Sequence, residues 1–236
     1  CVQLSKRLGK VGVVAGVCHG FIGNRMLQGY QREAGLLILE GASPAQVDKA
    51  LTDFGMAMGP MAVGDLAGLD IGYMNRQAMD PADYEQRAFL IADKLVEEDR
   101  KGQKTSAGWY RYEEGNRKPL HDPVTDEIIA LIRAEQNITP LDITNEEITK
   151  RCIYALVNEG AKIVEEGIAY RASDIDVVYV NGYGFPRYRG GPMQYAKEIG
   201  LKDVVQSIQD FEETFGSRWW TPCNYLIQCA EGEGTW

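Results

Sequence analysis

The stretch His19-Gly20-Phe21-Ile22-Gly23-Asn24-Arg25-Met26 lies at the junction of two patterns in the sequence. Before it, residues 11–17 form an apolar run, Val-Gly-Val-Val-Ala-Gly-Val, that is typical of a β-strand. After it, apolar residues recur with the spacing of one helix face as far as Glu40-Gly41. Glycines at such a turn bring the backbone close to a neighbouring group. Asn24 falls in the first turn of the expected helix and is the first candidate for a functional side chain.

The composition limits the classes of partner. The chain has 236 residues, of which 44% are apolar, as expected for a globular protein with a proper core. Its formal net charge of −9 argues against nucleic acid and anionic membranes, because both require a basic surface. Membrane spans need about 20 consecutive apolar residues, and the sequence contains no such run. We therefore expect neither a nucleic-acid partner nor a membrane partner.

Cysteine and histidine residues give no sign of a disulfide framework or a metal site. The five cysteines include no Cys-x-x-Cys pair, which favours reduced thiols in a cytosol-like compartment. His19 and His121 are isolated and lack the spacing of metal ligands. The chain opens on Cys1 without an initiator Met and ends without a Ser-Lys-Leu peroxisomal signal. We interpret it as a fragment of a longer protein.

Helix signals continue to the end of the chain. Ser43-Pro44 and Asp122-Pro123 each predict a capped helix start, and Thr144 opens a capping box. Asp80-Pro81 is expected to start one continuous helix that runs through Leu95. Residues 101–120 are predicted to form a polar loop around an aromatic patch. The fold class predicted is all-α, with a short strand-like N-terminal lead-in.

The sequence repeats itself once. Matching residues, in chain order, are Arg25/Arg151, Glu33/Glu159 and Gly41/Gly167 at an offset of 126, Asp48/Asp176 at 128, and Gly59-Pro60-Met61/Gly191-Pro192-Met193 at 132. Because the offset changes only at turns, we predict two tandem homologous helical domains packed as a pseudo-dimer. The expected boundaries are a lead-in at 1–18, a first copy at 19–138 and a second, degenerate copy at 139–236.

The two copies differ where chemistry is expected. Asn24 aligns with Lys150, and the glycine-rich approach is absent from the second copy. We therefore interpret the second copy as structural and the first as the one that carries the chemistry. Two alternatives stay open: Asn24 as a simple helix cap, and the glycines at 16, 20 and 23 as a dinucleotide-binding loop, although their spacing is not Gly-x-Gly-x-x-Gly.

Several motifs together resemble the C-terminal domain of L-3-hydroxyacyl-CoA dehydrogenases. In the first half these are Gly20-Phe21-Ile22-Gly23-Asn24-Arg25, Asp65-Leu66-Ala67-Gly68-Leu69-Asp70 and Gln103-Lys104-Thr105-Ser106-Ala107-Gly108-Trp109-Tyr110. The second half, with Asn158-Glu159-Gly160 and Gly182-Tyr183-Gly184-Phe185-Pro186, resembles the duplicated domain of the multifunctional β-oxidation enzymes. The resemblance covers nearly all of residues 10–215 in the right order.

This resemblance implies the NAD-dependent oxidation of a 3-hydroxyacyl-CoA to the 3-ketoacyl-CoA. In the family a His–Glu pair removes the proton, and both residues belong to an N-terminal Rossmann domain that also binds NAD. We expect residues 1–18 to be the tail of that domain, so that this chain holds no cofactor-binding residue. Asn24 is the catalytic residue that carries over, since it orients the histidine and the substrate oxygen. Apart from the resemblance, the basic loop at residues 101–105 has two interpretations: a solvated loop, or a contact of Lys104 and Thr105 with an anionic substrate such as the acyl-CoA.

The resemblance also implies partners and a location. We expect the chain's own Rossmann domain, with or without an enoyl-CoA hydratase module, and a homodimer as a further partner. The location expected is cytoplasmic, or peroxisomal if the source is eukaryotic. The alternative function is a non-catalytic helical dimerisation module. A strand followed by Gly-x-Gly-x-x-Gly upstream in the parent reading frame would decide for the dehydrogenase.

Overall fold

The computed structural model describes residues 1–236 and contains helices but no β-sheet, which confirms the all-α prediction. The α-helices are α1 Val2–Arg7, α2 Gly23–Glu40, α3 Pro44–Phe54, α4 Pro60–Ala67, α5 Leu69–Gln77, α6 Leu90–Glu97, α7 Pro123–Glu135, α8 Asn145–Glu165, α9 Ala172–Gly182, α10 Pro192–Ile199, α11 Leu201–Phe215, α12 Ser217–Trp220 and α13 Asn224–Glu231. Short 3-10 turns lie at Pro81–Asp83, Gln86–Phe89, Gln103–Thr105 and Arg187–Arg189. No helix is both long and apolar enough to cross a membrane.

The strand predicted at residues 11–17 is wrong. These residues run as extended chain without a ladder, and Gly16 N–H donates to Ile168 O at 2.8 Å. Val17 is 90% exposed. The β-branched composition favours an extended backbone, but a strand also needs a neighbouring strand to bond to, and the described chain offers none.

Predicted helix starts are confirmed where a side chain caps them. Ser43 Oγ accepts from Gln46 N–H at 3.1 Å, Asp122 Oδ1 from Val124 N–H at 3.1 Å, and Thr144 Oγ1 from Glu147 N–H at 3.1 Å. Each bond satisfies one of the free N–H groups at a helix start. Three of the turns between helices are therefore fixed by residues that the sequence identifies.

The continuous helix predicted from Pro81 to Leu95 is wrong. Asp80 and Glu85 each accept a hydrogen bond from the N–H two residues on, at 2.9 and 3.4 Å, and form local turns instead of a helix. Tyr84 between them is extended, with φ −141° and ψ 164°. The regular helix, α6, begins only at Leu90.

Contacts divide the chain into two units that differ from the two sequence copies. The first unit comprises residues 1–30 and 152–236, and the second comprises residues 31–151. Both divisions fall inside a long helix, one in α2 and one in α8. The boundaries 1–18, 19–138 and 139–236 describe the repeat rather than these units, and they stay a prediction.

Each unit has its own buried core. In the first unit, side chains at most 2% exposed include Met26, Cys152, Ile163, Tyr179, Met193, Ile208 and Trp220. In the second, residues with no exposure include Leu37, Ile38, Leu51, Leu95 and Ile148. The apolar periodicity of the sequence therefore marks the faces that the helices bury.

Candidate functional site

The backbone before α2 makes a tight left-handed turn. Gly20 has φ 75° and Phe21 has φ 51°. Asn24 N–H and Arg25 N–H both donate to Gly20 O, at 3.2 and 3.3 Å. A Cβ on Gly20 would lie 2.6 Å from Arg25 N, so no larger residue fits there. Phe21 is 56% exposed and holds a conformation that costs a bulky residue free energy.

Asn24 is exposed and does not cap the helix. Its side-chain Oδ1 accepts from the Tyr183 hydroxyl at 2.7 Å, and its amide Nδ2 makes no hydrogen bond within the chain. No backbone N–H of α2 donates to it. The interpretation of Asn24 as a cap is therefore wrong, and the side chain presents a neutral donor group to solvent.

Tyr183, the partner of Asn24, comes from just past the end of α9. Its ring stacks on that of Tyr179, with centroids 4.9 Å apart and planes inclined by 23°. The Tyr179 hydroxyl donates to Gly23 O at 3.1 Å. A Cβ on Gly23 would lie 2.2 Å from the Tyr183 ring, so glycine at this position makes room for the tyrosine. Burial raises the pKa of Tyr183 and of Tyr179, so both phenols remain protonated donors near neutral pH.

Arg25 fixes the first turn of α2 to α8. Its Nε lies 2.7 Å from Glu159 Oε1, and its two terminal nitrogens lie 2.6 and 2.8 Å from the carboxylate oxygens of Glu166. Glu166, and then Glu159, raise the pKa of the guanidinium against the effect of burial. The bidentate pair with Glu166 has the geometry in which arginine recognises a carboxylate most specifically. Asn24 is therefore held on a rigid part of the helix.

The predicted substrate contacts, Lys104 and Thr105, lie in the second unit, whereas Asn24 lies in the first. The Lys104 ammonium pairs with Asp70 and is 47% exposed. Thr105 Oγ1 accepts from Lys101 N–H at 2.8 Å and donates to Ala107 O at 2.9 Å. Thr105 thus closes its own loop, while Lys104 keeps a solvent-facing positive charge.

A buried carboxylate that the sequence analysis missed anchors this loop. Asp65 on α4 is 1% exposed and accepts from Trp109 N–H, Tyr110 N–H and the Tyr112 hydroxyl at 2.9–3.0 Å. Burial raises the pKa of Asp65 to about 6 against these three hydrogen bonds. The signal that could have found it is an aspartate at a buried position of an otherwise apolar helix face.

Neither histidine forms a site. His19 is exposed, and His121 Nε2 lies 2.7 Å from Asp126 Oδ2 at the surface. No group of three or more His, Cys, Asp or Glu side chains is arranged to hold a metal ion. The strand that a dinucleotide-binding loop would need before the glycine turn is not formed by residues 11–17.

Comparisons with known proteins agree on one family. The family described as 3-hydroxyacyl-CoA dehydrogenase, C-terminal domain, matches residues 20–112 and 148–233. The peroxisomal bifunctional enzyme of Danio rerio is 45% identical over 221 residues, which are 88% of this chain and 31% of that protein. The enzyme of the same name from Homo sapiens is 43% identical over 227 residues, which are 89% of this chain and 31% of that protein.

The fold agrees with a solved structure of similar description. The crystal structure of the dehydrogenase part of multifunctional enzyme 1 from C. elegans matches with a TM-score of 0.73 and 28% identity, over 96% of this chain and 51% of that one. The chain spans about a third of the length of the curated relatives named above.

Proposed function

We propose a function from one premise: the chain belongs to the family of 3-hydroxyacyl-CoA dehydrogenase C-terminal domains. It forms the helical part of a fatty-acid β-oxidation enzyme that converts a 3-hydroxyacyl-CoA to the 3-ketoacyl-CoA. The observation that carries the proposal is Asn24, an exposed amide fixed at the first turn of α2 with its Nδ2 group free to donate.

Asn24 has the chemistry that this role requires. Oxidation of a secondary alcohol leaves an oxygen that gains electron density as its proton departs, and a neutral amide donates to that oxygen without competing for the proton. A preorganised donor is effective because it needs no reorientation during the reaction. Asn24 thus orients the substrate oxygen and the catalytic histidine of the partner domain.

Other groups complete the reaction. The family uses NAD, which accepts the hydride, and we assign its binding to an N-terminal Rossmann domain together with the His–Glu pair. An enoyl-CoA hydratase module in the same polypeptide agrees with the word "bifunctional" in the names of the relatives. Their names also favour a peroxisomal location in a eukaryotic source. A homodimer is a further expected partner, and this segment contributes to packing between domains.

Lys104 and Thr105 have different roles in the proposal. The Lys104 ammonium is exposed enough to meet a phosphate of the acyl-CoA. Thr105 has both hydrogen-bonding directions used within its loop, so its contribution is to hold Lys104 in place.

The test is Asn24→Ala in a full-length enzyme that carries this segment with its Rossmann domain. We expect turnover to fall on the order of 10²-fold, as for the loss of another preorganised donor. The melting temperature should fall by no more than about 4 °C, because the variant loses no helix cap and only one exposed hydrogen bond, the one from Tyr183. Asn224→Ala, at an exposed first-turn position of α13, is the matched control and should leave turnover unchanged. Unchanged turnover in Asn24→Ala would favour the non-catalytic dimerisation module.

A further inference from the structure

Asn24 owes its orientation to a residue that lies 159 positions later in the chain. The Tyr183 hydroxyl donates to Asn24 Oδ1 at 2.7 Å, which leaves the amide NH₂ group on the free side. If the amide were rotated by half a turn, the phenol would accept from the amide instead, and its own proton would have to bond to solvent. Donation from the phenol to Oδ1 therefore favours the orientation in which the amide NH₂ group faces outward.

The hydroxyl is itself held in place. The Tyr183 ring lies against Gly23, where even a methyl group would collide with it, and stacks on Tyr179. Tyr179 is 1% exposed and is anchored by its bond to Gly23 O. The two stacked tyrosines thus bond to the first turn of α2: Tyr179 bonds to the backbone of the turn, and Tyr183 bonds to the Asn24 side chain.

The same arrangement is absent from the other copy of the repeat. The residue equivalent to Asn24 is Lys150, and at the offset of 128 set by Asp48 and Asp176 the residue equivalent to Tyr183 is Gly55. Both partners of the hydrogen bond are therefore replaced together. The residue equivalent to Gly23 is Thr149, so the space that the tyrosine ring needs is replaced there as well.

We infer that Tyr183 is a positioning residue for the dehydrogenase reaction. By donating to Oδ1 it keeps the Asn24 NH₂ group turned outward, as the donor to an oxygen of the substrate. It also polarises the amide, which strengthens the outward N–H donors. This inference rests on the proposed function of Asn24. On this inference the second copy also supplies a residue of the site.

The experiment removes the hydroxyl and keeps the ring. In the full-length enzyme, Tyr183→Phe should lower kcat roughly five- to tenfold, the effect of one neutral hydrogen bond, with KM changed less than about twofold. Folding should be retained, because the stacking on Tyr179 and Gly23 remains. Tyr225→Phe is the matched control: it removes a hydroxyl that bonds to Thr235 O in the same unit, and it should leave kcat unchanged.

A double-mutant cycle distinguishes positioning from a merely structural effect. If Tyr183 acts through Asn24, adding Tyr183→Phe to Asn24→Ala should not lower kcat further. An unchanged kcat in Tyr183→Phe, or a full additional loss in the double variant, would overturn this inference alone. Unchanged turnover in Asn24→Ala would overturn it together with the proposed function.

Discussion

Arg25 and Arg151 lie 126 residues apart, and each forms ion pairs with two glutamates at equivalent positions of the repeat. Arg25 contacts Glu159 and Glu166, and Arg151 contacts Glu33 and Glu40. The two sets of glutamates are themselves related by the offset of 126: Glu33 corresponds to Glu159, and Glu40 to Glu166. The arginine of each copy therefore binds the glutamates of the other copy. Such reciprocal contacts are what a two-fold relation between the copies would produce, and the pseudo-dimer stays a prediction.

The two arginines differ in burial and should therefore differ in their effect on stability. The Arg151 side chain is 0% exposed and that of Glu33 is 1% exposed, whereas the Arg25 side chain is 18% exposed. Replacing Arg151 by Met leaves the buried Glu33 carboxylate with Arg32 as its remaining ion-pair partner and removes the pair with Glu40, which costs about 3 kcal/mol of unfolding free energy. We expect Arg25→Met to cost roughly half as much, because its glutamates remain hydrated. Urea denaturation followed by tryptophan fluorescence and circular dichroism measures both, and equal losses would contradict the burial argument.

Asp48 and Asp176 perform one task in the two copies. Asp48 accepts from Met61 N–H and Ala62 N–H at the start of α4, and Asp176 accepts from Met193 N–H at the start of α10. We expect each Asp→Ala change to cost about 1–2 kcal/mol, the usual cost of a lost N-cap. Asp48→Ala should cost more, because the Tyr110 hydroxyl loses its acceptor as well.

Asp53→Ala provides the control for these two variants, since Asp53 is exposed and pairs only with Lys49. Thermal melts of the three variants should therefore rank Asp48→Ala lowest and Asp53→Ala nearest to the unchanged protein. A melting temperature for Asp176→Ala equal to that of the control would show that its hydrogen bonds to α10 are dispensable.

The pair between Arg25 and Glu166 predicts a pH dependence of stability. The hydrogen bond from Arg25 lowers the pKa of Glu166 below its usual 4.5, against the effect of burial. The folded state therefore binds this proton less readily than the unfolded state. The contribution to stability is present above about pH 4.5 and is lost as the pH falls through the folded-state pKa.

Glu166→Gln removes this titration and should destabilise the protein at pH 7. The difference in unfolding free energy from the unchanged protein should shrink as the pH is lowered from 5 toward 3. Denaturation curves at several pH values measure it. The interpretation fails if the difference stays constant with pH or widens in acid.

Features encoded locally could be predicted from the sequence. Ser43, Asp122 and Thr144 cap helices because the bonding partner is two or three residues away, and the sequence shows both ends of such a bond. The repeat was visible because the scaffold residues recur in order. The strand predicted at residues 11–17 was wrong because β-branched side chains indicate a preference for extended backbone but do not show whether a neighbouring strand exists.

Only part of the candidate site could be predicted from the sequence. Asn24 stood out beside its glycines, but nothing near residue 183 shows that a tyrosine reaches it, because that contact depends on how α9 packs. Gly23 carried the missing signal: it is needed not for a left-handed backbone but for the space that the Tyr183 ring occupies.

The position of the unit boundaries inside α2 and α8 limits how this chain can be dissected. A cut near residue 138, between the two copies, would leave each fragment with part of both units and the whole of neither. Produced alone, the first half would lack both glutamates that Arg25 binds, and the second half would lack Glu33 and Glu40 and keep only Glu147 for Arg151. The halves are thus complementary pieces, which would have to be supplied together, as a split protein, to restore one folded molecule.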